Sequence, residues 1–232
     1  MSGLVESATA VMRMAEQRLE VIAHNVANLS TPGYRRRIGF ATLVDRGDAA
    51  PTIATHSDAA AGALSESGNP FDLAIGGDGY FQLRAGDATL YSRQGRFRRD
   101  PEGRLVTPQG YFLQRAGGGD LTIDGTTPKV ARDGTVLDGE RPVGRVAVML
   151  PDNAAALRPV GESFFAADAA AMADAGDPVV RQGMVEASNV VLGDEMTRSM
   201  AAVREAETGA RLIQLYDELM GKAVNAFAGN GR

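Results

Sequence analysis

A narrow apolar stripe at the N-terminus restricts this part of the chain to a long helix. Its members recur every three or four residues, a spacing that places them on one face of an α-helix. A helix over about residues 3–28 would be roughly 39 Å long. Because the stripe is narrow, it is typical of a coiled-coil seam that packs against one or two partner helices. The members of the stripe are Leu4, Ala8, Val11, Ala15, Leu19, Ile22, Val26 and Leu29.

The C-terminal region repeats this pattern over a longer distance. A helix from about residue 190 to residue 227 would extend roughly 57 Å, and Asn189 is its predicted N-cap. If the two terminal helices pair only with each other, the longer one keeps an unmatched apolar face, which favours contacts with other copies of the chain. The predicted packing residues of this helix are Met196, Met200, Val203, Ala210, Ile213, Met220 and Val224.

Between the helices the pattern changes to that of β-strands. Short apolar and aromatic runs, such as residues 80–84 and 145–150, alternate with Asp-Gly turns. The Gly-rich residues 76–81 could suggest a phosphate-binding loop, but they lack the lysine that such a loop requires. They therefore predict a hairpin turn. The expected fold class is therefore α+β. Long N- and C-terminal helices form a coiled-coil-like layer, and the central domain is antiparallel and β-rich.

These changes of pattern predict four regions along the chain. A low-periodicity stretch rich in Ala, Ser, Thr, Asp and Gly separates the first helix from the strands. We expect it to be an extended arm or loop. The regions are residues 1–33 for the N-terminal helix and joint, 34–70 for the arm, 71–187 for the β-rich domain, and 188–232 for the C-terminal helix.

The segment HNVANLSTPGYRRR forms the predicted joint between the first helix and the arm. Pro32 and the residues before it prevent the helix from continuing, and Gly33 permits a backbone conformation that most residues avoid. The arginines Arg35, Arg36 and Arg37 follow at once. We expect them to contact neighbouring subunits or solvent, since a nucleic-acid contact is the weaker interpretation.

Composition argues against several classes of function. The net charge of −5 disfavours nucleic acid as a partner, and no apolar run is long enough to span a membrane. The chain has no cysteine, and His24 and His56 lack metal-ligand spacing. We therefore expect no cofactor, no metal and no catalytic residues. A glycan hydrolase with two paired carboxylates stays open as a weak alternative, because the 29 acidic residues supply no spacing that selects a pair.

The joint carries the clearest family resemblance. Residues 23–35 resemble the Ala-Asn-Asn-aliphatic-Ala-Asn-x-x-Thr-x-Gly-aromatic-basic signature of the flagellar rod and hook proteins, with His24 at a position where Asn is usual. Residues 68–83, 91–114 and 180–196 are also similar to sequences of this family. The joint residues that match its motif are Asn25, Asn28, Thr31, Gly33, Tyr34 and Arg35.

The resemblance implies a structural subunit of the bacterial flagellar basal-body rod, most like the proximal rod protein, with a distal rod protein or another member as the alternative. It further implies a periplasmic location, type III export through the flagellar apparatus without a cleaved signal peptide, and assembly with copies of itself and other rod proteins. A β-domain binding module with a two-helix stalk is the hypothesis from a different class.

Overall fold

The computed structural model of the protein describes residues 2–42, 52–125, 128–153 and 156–229. The described residues divide into two compact units, which we call the helical unit and the β unit. The helical unit is drawn from Met1–Ala27, Arg37–His56 and Val191–Arg232, and the β unit from Asn28–Arg36 and Ser57–Val190.

Two long helices dominate the helical unit, which confirms the prediction from the terminal apolar stripes. Helix α1 is Ser2–Ala27 and helix α2 is Leu192–Gly229. Asp194 and Glu195 lie in the first turn of α2, where negative charge interacts favourably with the helix dipole. The predicted N-cap at Asn189 is wrong. The amides of Asp194 and Glu195 donate to the carbonyl of Val191, so α2 begins two residues later than that cap requires.

Helices α1 and α2 pack against each other through small residues. Ala8, Ala15 and Ala202 are buried. A Cβ atom added to Gly209 would lie 2.6 Å from Cγ of Met12 and 3.1 Å from the backbone oxygen of Ala8, so the two backbones approach closely at this point. An ion pair joins Arg18 to Glu205. The contacts advance in opposite directions along the two helices, which makes the pair antiparallel.

The region between α1 and the main sheet contains three short strands. Strand β1, Arg37–Thr42, pairs with β2, Thr52–Ser57, and β3 is Leu64–Glu66. The predicted arm, residues 34–70, thus includes extended backbone. Residues 43–51 of that arm lie outside the described part of the chain.

The β unit is built around an antiparallel sheet in which nine described strands take part. Its continuous path runs β14-β15-β6-β5-β9-β8-β7, and β13 pairs with both β5 and β16. The strands are β5 Tyr80–Ala85, β6 Ala88–Ser92, β7 Arg98–Arg99, β8 Leu105–Val106, β9 Phe112–Leu113, β13 Val148–Pro151, β14 Arg158–Pro159, β15 Phe164–Ala166 and β16 Met172–Asp174.

The central hairpin of this sheet supplies much of the apolar core. Strands β5 and β6 pair from Phe81 opposite Ser92 to Ala85 opposite Ala88. Alternation along β5 directs Phe81 and Leu83 inwards, and both are fully buried. The ring of Phe81 meets that of Phe97 edge to face, with centroids 5.6 Å apart. The expected α+β class with an antiparallel β-rich domain is confirmed.

Smaller sheets complete the β unit. Strands β10, Lys129–Val130, β11, Thr135–Asp138, and β12, Arg141–Arg145, form one of them. Strand β4, Leu73–Ile75, pairs with β17, Val180–Gln182, and β3 pairs with β18, Met184–Glu186.

These pairings overturn one predicted turn. The glycines of residues 76–81 predict a hairpin, yet this segment connects β4 to β5, and these two strands belong to different sheets. The local glycines indicate a turn, but the partners of β4 and β5 come from distant parts of the chain. The hairpin prediction is therefore wrong.

An ion pair on the β unit predicts a modest dependence of stability on pH. Hydrogen bonds from Arg84 and then Gln114 hold the pKa of the Asp120 carboxyl below its ordinary value. A lowered folded-state pKa adds stability above the unfolded pKa of about 3.9, and this stability is lost as pH falls through the folded pKa.

We therefore expect Asp120→Asn to lower the free energy of unfolding by less than about 1 kcal/mol at pH 7, because the side chains of Asp120 and Arg84 are both partly exposed. Urea unfolding at pH 7 and at about pH 3 would measure the effect, and the difference between wild type and variant should shrink at the lower pH. A difference that grew on acidification would contradict this assignment.

Candidate functional site

The joint begins in the helical unit with Asn25, whose side chain is buried in the last turns of α1. Its Oδ1 accepts a hydrogen bond from the backbone amide of Arg37 at 2.8 Å. Its Nδ2 donates to the carbonyl of Arg37 at 2.9 Å and to Oε2 of Glu195 at 3.2 Å. An amide group can satisfy both backbone groups of one residue at once. Asn25 thus attaches the start of β1 and the start of α2 to the end of α1.

The next motif residues lie in the β unit and form a tight turn. The hydroxyl of Thr31 donates to Oδ1 of Asn28 at 3.1 Å, and the amide of Thr31 donates to the carbonyl of Asn28 at 3.2 Å. The amide of Tyr34 then donates to the carbonyl of Thr31. The Tyr34 side chain is fully buried. Together these contacts fix the chain direction just after the helix ends.

Gly33 occupies a place in the β unit that no larger residue fits. Its φ of +67° is in the left-handed region, and an added Cβ would lie 2.3 Å from the backbone carbon of Arg93 and the backbone nitrogen of Gln94. Its amide donates to the carbonyl of Glu186 at 2.8 Å. The predicted role of Gly33 as a special backbone position agrees with this geometry.

A buried charge cluster lies beside Gly33, and it corrects the expectation for Arg35. Nη2 of Arg35 is 3.0 Å from Oε1 of Glu186, and Nη1 of Arg93 is 3.3 Å from Oε2 of the same carboxylate. All three side chains are at least 96% buried. Arg35 is therefore buried and its charge is compensated by Glu186 inside the β unit, so the expectation of a surface position for Arg35 is wrong. Arg36 and Arg37 are half-buried.

Burial of Arg93 is reflected in its acid–base behaviour. Desolvation lowers the pKa of the Arg93 guanidinium, and the Glu186 carboxylate opposes that shift. Nη2 of Arg93 also donates to the carbonyl of Gly77 at 2.6 Å. A further contact to Glu186 comes from the amide of Gly62, which donates to Oε1 at 2.9 Å. The carboxylate is thus held from three sides.

Asn189 connects two of these segments. The backbone amide of Arg36 donates to its Oδ1 at 2.6 Å, and its Nδ2 donates to the carbonyl of Ala60 at 2.8 Å. Sequence patterns alone assign no role to Glu186, Glu195 or Arg93. Residues 180–196 do resemble the family, and the glutamate at position 186 within that block is the signal that could have pointed to the cluster.

The predicted packing residues of the two helices fall into three groups. Ala8 and Ala15 are buried against α2. Half-buried side chains belong to Val11, Leu19, Ile22, Ala210 and Ile213. Exposed ones belong to Val26, Met196, Met200, Val203, Met220 and Val224, together with Leu29 in the β unit. The side chain of Leu4 lies outside the described residues.

The helix pair inside one chain therefore brings together only part of the predicted set. The contact face of α2 passes through Ala202 and Gly209, which the spacing argument did not select, and the methionines lie elsewhere on α2. No group of His, Cys, Asp or Glu in the described residues has the arrangement of a metal site. No described helix is sufficiently long and apolar to cross a membrane.

Three segments of the chain match known protein families. Residues 9–35 match the family described as flagella basal body rod protein. Residues 74–140 match the flagellar hook protein FlgE/F/G D1 domain, and residues 181–226 match the flagellar basal body rod FlgEFG protein C-terminal family. The three matches include the joint, part of the β unit and most of α2.

Whole-chain relatives extend these matches over nearly the full length. The chain is 30% identical to the flagellar basal-body rod protein FlgG of Bacillus subtilis, over 92% of this chain and 95% of the relative. It is 33% identical to FlgG of Agrobacterium fabrum, over 90% and 93% of the two chains. It is 34% identical to FlgF of Mesorhizobium japonicum, over 86% and 87%. The chain therefore belongs to the flagellar basal-body rod protein family.

Proposed function

We propose that the protein is a structural subunit of the bacterial flagellar basal-body rod, which assembles helically through its terminal helices. Its relatives carry the names FlgF and FlgG and are rod proteins. In this proposal the helices of neighbouring copies and of other rod proteins form a coiled-coil-like inner layer. The assembled rod is a periplasmic drive shaft that transmits torque. The subunit has a structural role and no enzymatic one.

The observation that carries this proposal is the unequal length of the two helices. Helix α1 has 26 residues and α2 has 38. Gly209 contacts Met12 and Ala8, so only Ser2–Ser7 of α1 lies beyond that contact, whereas α2 continues to Gly229. Because the pair is antiparallel, α2 extends roughly 20 Å past the start of α1.

The extension of α2 exposes apolar side chains that one chain does not cover. Leu219, Met220 and Val224 lie on it, and Val224 is 61% exposed. Near the start of α2, Met196 and Met200 are also more than half exposed. A run of exposed apolar residues at helical spacing favours packing against another helix. Flexible methionines suit a face that meets inequivalent neighbours.

Position in the rod and the route to it follow from the family resemblance. We propose the proximal-type position, with the distal one as the alternative, since the chain matches both FlgF and FlgG relatives. Export through the flagellar type III apparatus without a cleaved signal peptide belongs to the same proposal.

Charge placed on the exposed face of α2 tests the assembly role. We expect Met220→Glu to lower incorporation into basal bodies at least about tenfold, because burying an uncompensated carboxylate in a helix interface is costly. Thermal unfolding of the isolated subunit should change little, since Met220 is exposed there.

The matched control is Gln214→Glu, which adds the same charge at an exposed polar position of α2. Incorporation should be measured by quantifying the protein in purified basal bodies, with swimming as a second readout. Equal incorporation of Met220→Glu and Gln214→Glu would reject the apolar face of α2 as an assembly surface.

A further inference from the structure

The cluster of Arg35, Glu186 and Arg93, which we call the joint latch, ties together distant parts of the β unit. Arg35 belongs to the segment that enters this unit after α1, and Glu186 belongs to the segment that leaves it before α2. Arg93 follows β6 in the main sheet. We propose that Glu186 is a positioning residue for assembly, which holds both connecting segments at one place on the β unit. This role rests on the proposed function as a rod subunit.

Backbone contacts show what the latch keeps in register. The amide of Gly33 donates to the carbonyl of Glu186, and the amide of Asn189 donates to the carbonyl of Tyr34 at 3.4 Å. Arg35 also donates to the carbonyl of Ala60. The entering and leaving segments are thus hydrogen-bonded to each other, while the Glu186 side chain binds them to Arg93. In the proposed rod, a fixed course of these two segments lets every copy present the same surface of the β unit.

The charge balance makes Glu186 the central member. Two guanidinium groups share one carboxylate, so the latch has one excess positive charge in a buried place. The Nε atoms of Arg35 and Arg93 have no hydrogen-bond partner among the described residues. Glu186→Gln would leave two like charges buried near each other, which is strongly unfavourable. Arg35→Met would leave one neutral pair, Arg93 with Glu186.

This asymmetry predicts an order of effects that simple packing does not. Glu186→Gln should open the joint more than Arg35→Met, although both remove one charged group. Adding Arg35→Met to Glu186→Gln should restore part of the protection, because it removes one of the two uncompensated charges. Arg35→Lys keeps the positive charge, so amide exchange at the joint should stay near the wild-type rate. If packing alone mattered, the double variant would be worse than either single variant.

Amide hydrogen exchange on the full chain measures the latch directly. Glu186→Gln should speed exchange at Gly33 and Gly62 by on the order of 100-fold, while Leu83 in β5 stays protected. Asp120→Asn is the control, because it removes a carboxylate paired with arginine elsewhere on the β unit. If Glu186→Gln does not fold, the smaller local opening expected for Arg35→Met carries the test.

Incorporation into basal bodies tests the positioning role separately from stability. The comparison variant is Val136→Ala, which loses stability through the core of the same unit, since Val136 is fully buried. The two variants are compared under conditions in which they retain the same free energy of unfolding. Under those conditions, incorporation of Glu186→Gln should be at least about tenfold lower than that of Val136→Ala. Arg35→Lys should restore incorporation that Arg35→Met reduces.

Three results would overturn the inference. The first is unchanged exchange at Gly33 and Gly62, and the second is equal acceleration at Gly33 and Leu83, which would indicate global unfolding. The third is local opening with incorporation no lower than in Val136→Ala. Absence of the wild-type protein from basal bodies would overturn the proposed function and the positioning role with it, while the exchange data would still decide whether the latch holds the two segments.

Discussion

Gly33→Ala is expected to destabilise the β unit by about 3 kcal/mol or more. Two costs add at this position. A side chain at φ +67° is strained by about 1 to 2 kcal/mol. In addition, the new Cβ would lie 2.3 Å from backbone atoms of Arg93 and Gln94. Because those atoms are main chain, relief requires the joint or the segment after β6 to move, at a typical cost of about 1 to 3 kcal/mol.

Gly68→Ala separates these two costs. Gly68 has a similar φ of +70°, but an added Cβ would meet nothing within 4 Å. It should therefore lose only the strain cost of about 1 to 2 kcal/mol. Urea unfolding followed by circular dichroism in the strand region would compare the two variants. Equal midpoints for Gly33→Ala and Gly68→Ala would show that the close approach of the joint to Arg93 and Gln94 is absent in solution.

Gly95→Ala should destabilise the β unit at least as much as Gly33→Ala does, for a purely steric reason. A Cβ on Gly95 would lie 1.6 Å from the carbonyl oxygen of Leu73 and 2.8 Å from its carbon. The amide of Leu73 donates to the carbonyl of Gly95 at 2.8 Å, so β4 crosses Gly95 at hydrogen-bonding distance. We expect a loss of about 3 kcal/mol or more, since β4 must separate from this segment to admit the methyl group.

Gly77→Ala is the matched control for Gly95→Ala. Neither glycine has a positive φ, and an added Cβ at Gly77 would contact nothing within 4 Å. Its stability should therefore stay within about 1 kcal/mol of wild type. The urea midpoints of the two variants, measured under the same conditions, decide the prediction. A Gly95→Ala midpoint as high as that of Gly77→Ala would contradict the contact between β4 and Gly95.

The terminal helices could be predicted from sequence because their signal is local. Apolar spacing of three and four residues defines a helix over many turns, so the expected spans of 3–28 and 190–227 lie within about two residues of α1 and α2. The exact start of α2 could not be predicted in this way. Asn189 is a good cap by type, but its side chain is occupied by Arg36 and Ala60, and such a tertiary contact leaves no local trace.

The joint shows the same division between local and distant information. Gly33 is predictable as a special backbone position, since a Pro-Gly pair directly after a helix is typical of a turn. The environment of Arg35 is not predictable in the same way. Its partner Glu186 lies far along the sequence, and a run of three arginines ordinarily indicates an exposed segment. Glu186 reaches the joint through contacts between distant segments, namely the pairing of β18 with β3 and the hydrogen bond from the Gly33 amide to the Glu186 carbonyl.

The helix faces were predicted in type more successfully than in detail. Apolar spacing identifies the small residues Ala8 and Ala15, which are buried between α1 and α2. It also grouped Met196, Met200 and Met220 with the same seam, although these methionines are exposed in the single chain. Periodicity indicates that a residue lies on an apolar face, but it does not say which partner covers that face.

In the proposed rod, the exposed apolar face of α2 packs against helices of neighbouring subunits. High-resolution electron microscopy of purified basal bodies tests it most directly, by locating this chain and its neighbours. We expect to find the chain within the rod, with Met200, Met220 and Val224 buried against helices of adjacent subunits. A rod that lacks this chain, or one in which these three side chains face water, would show that α2 is not the assembly surface.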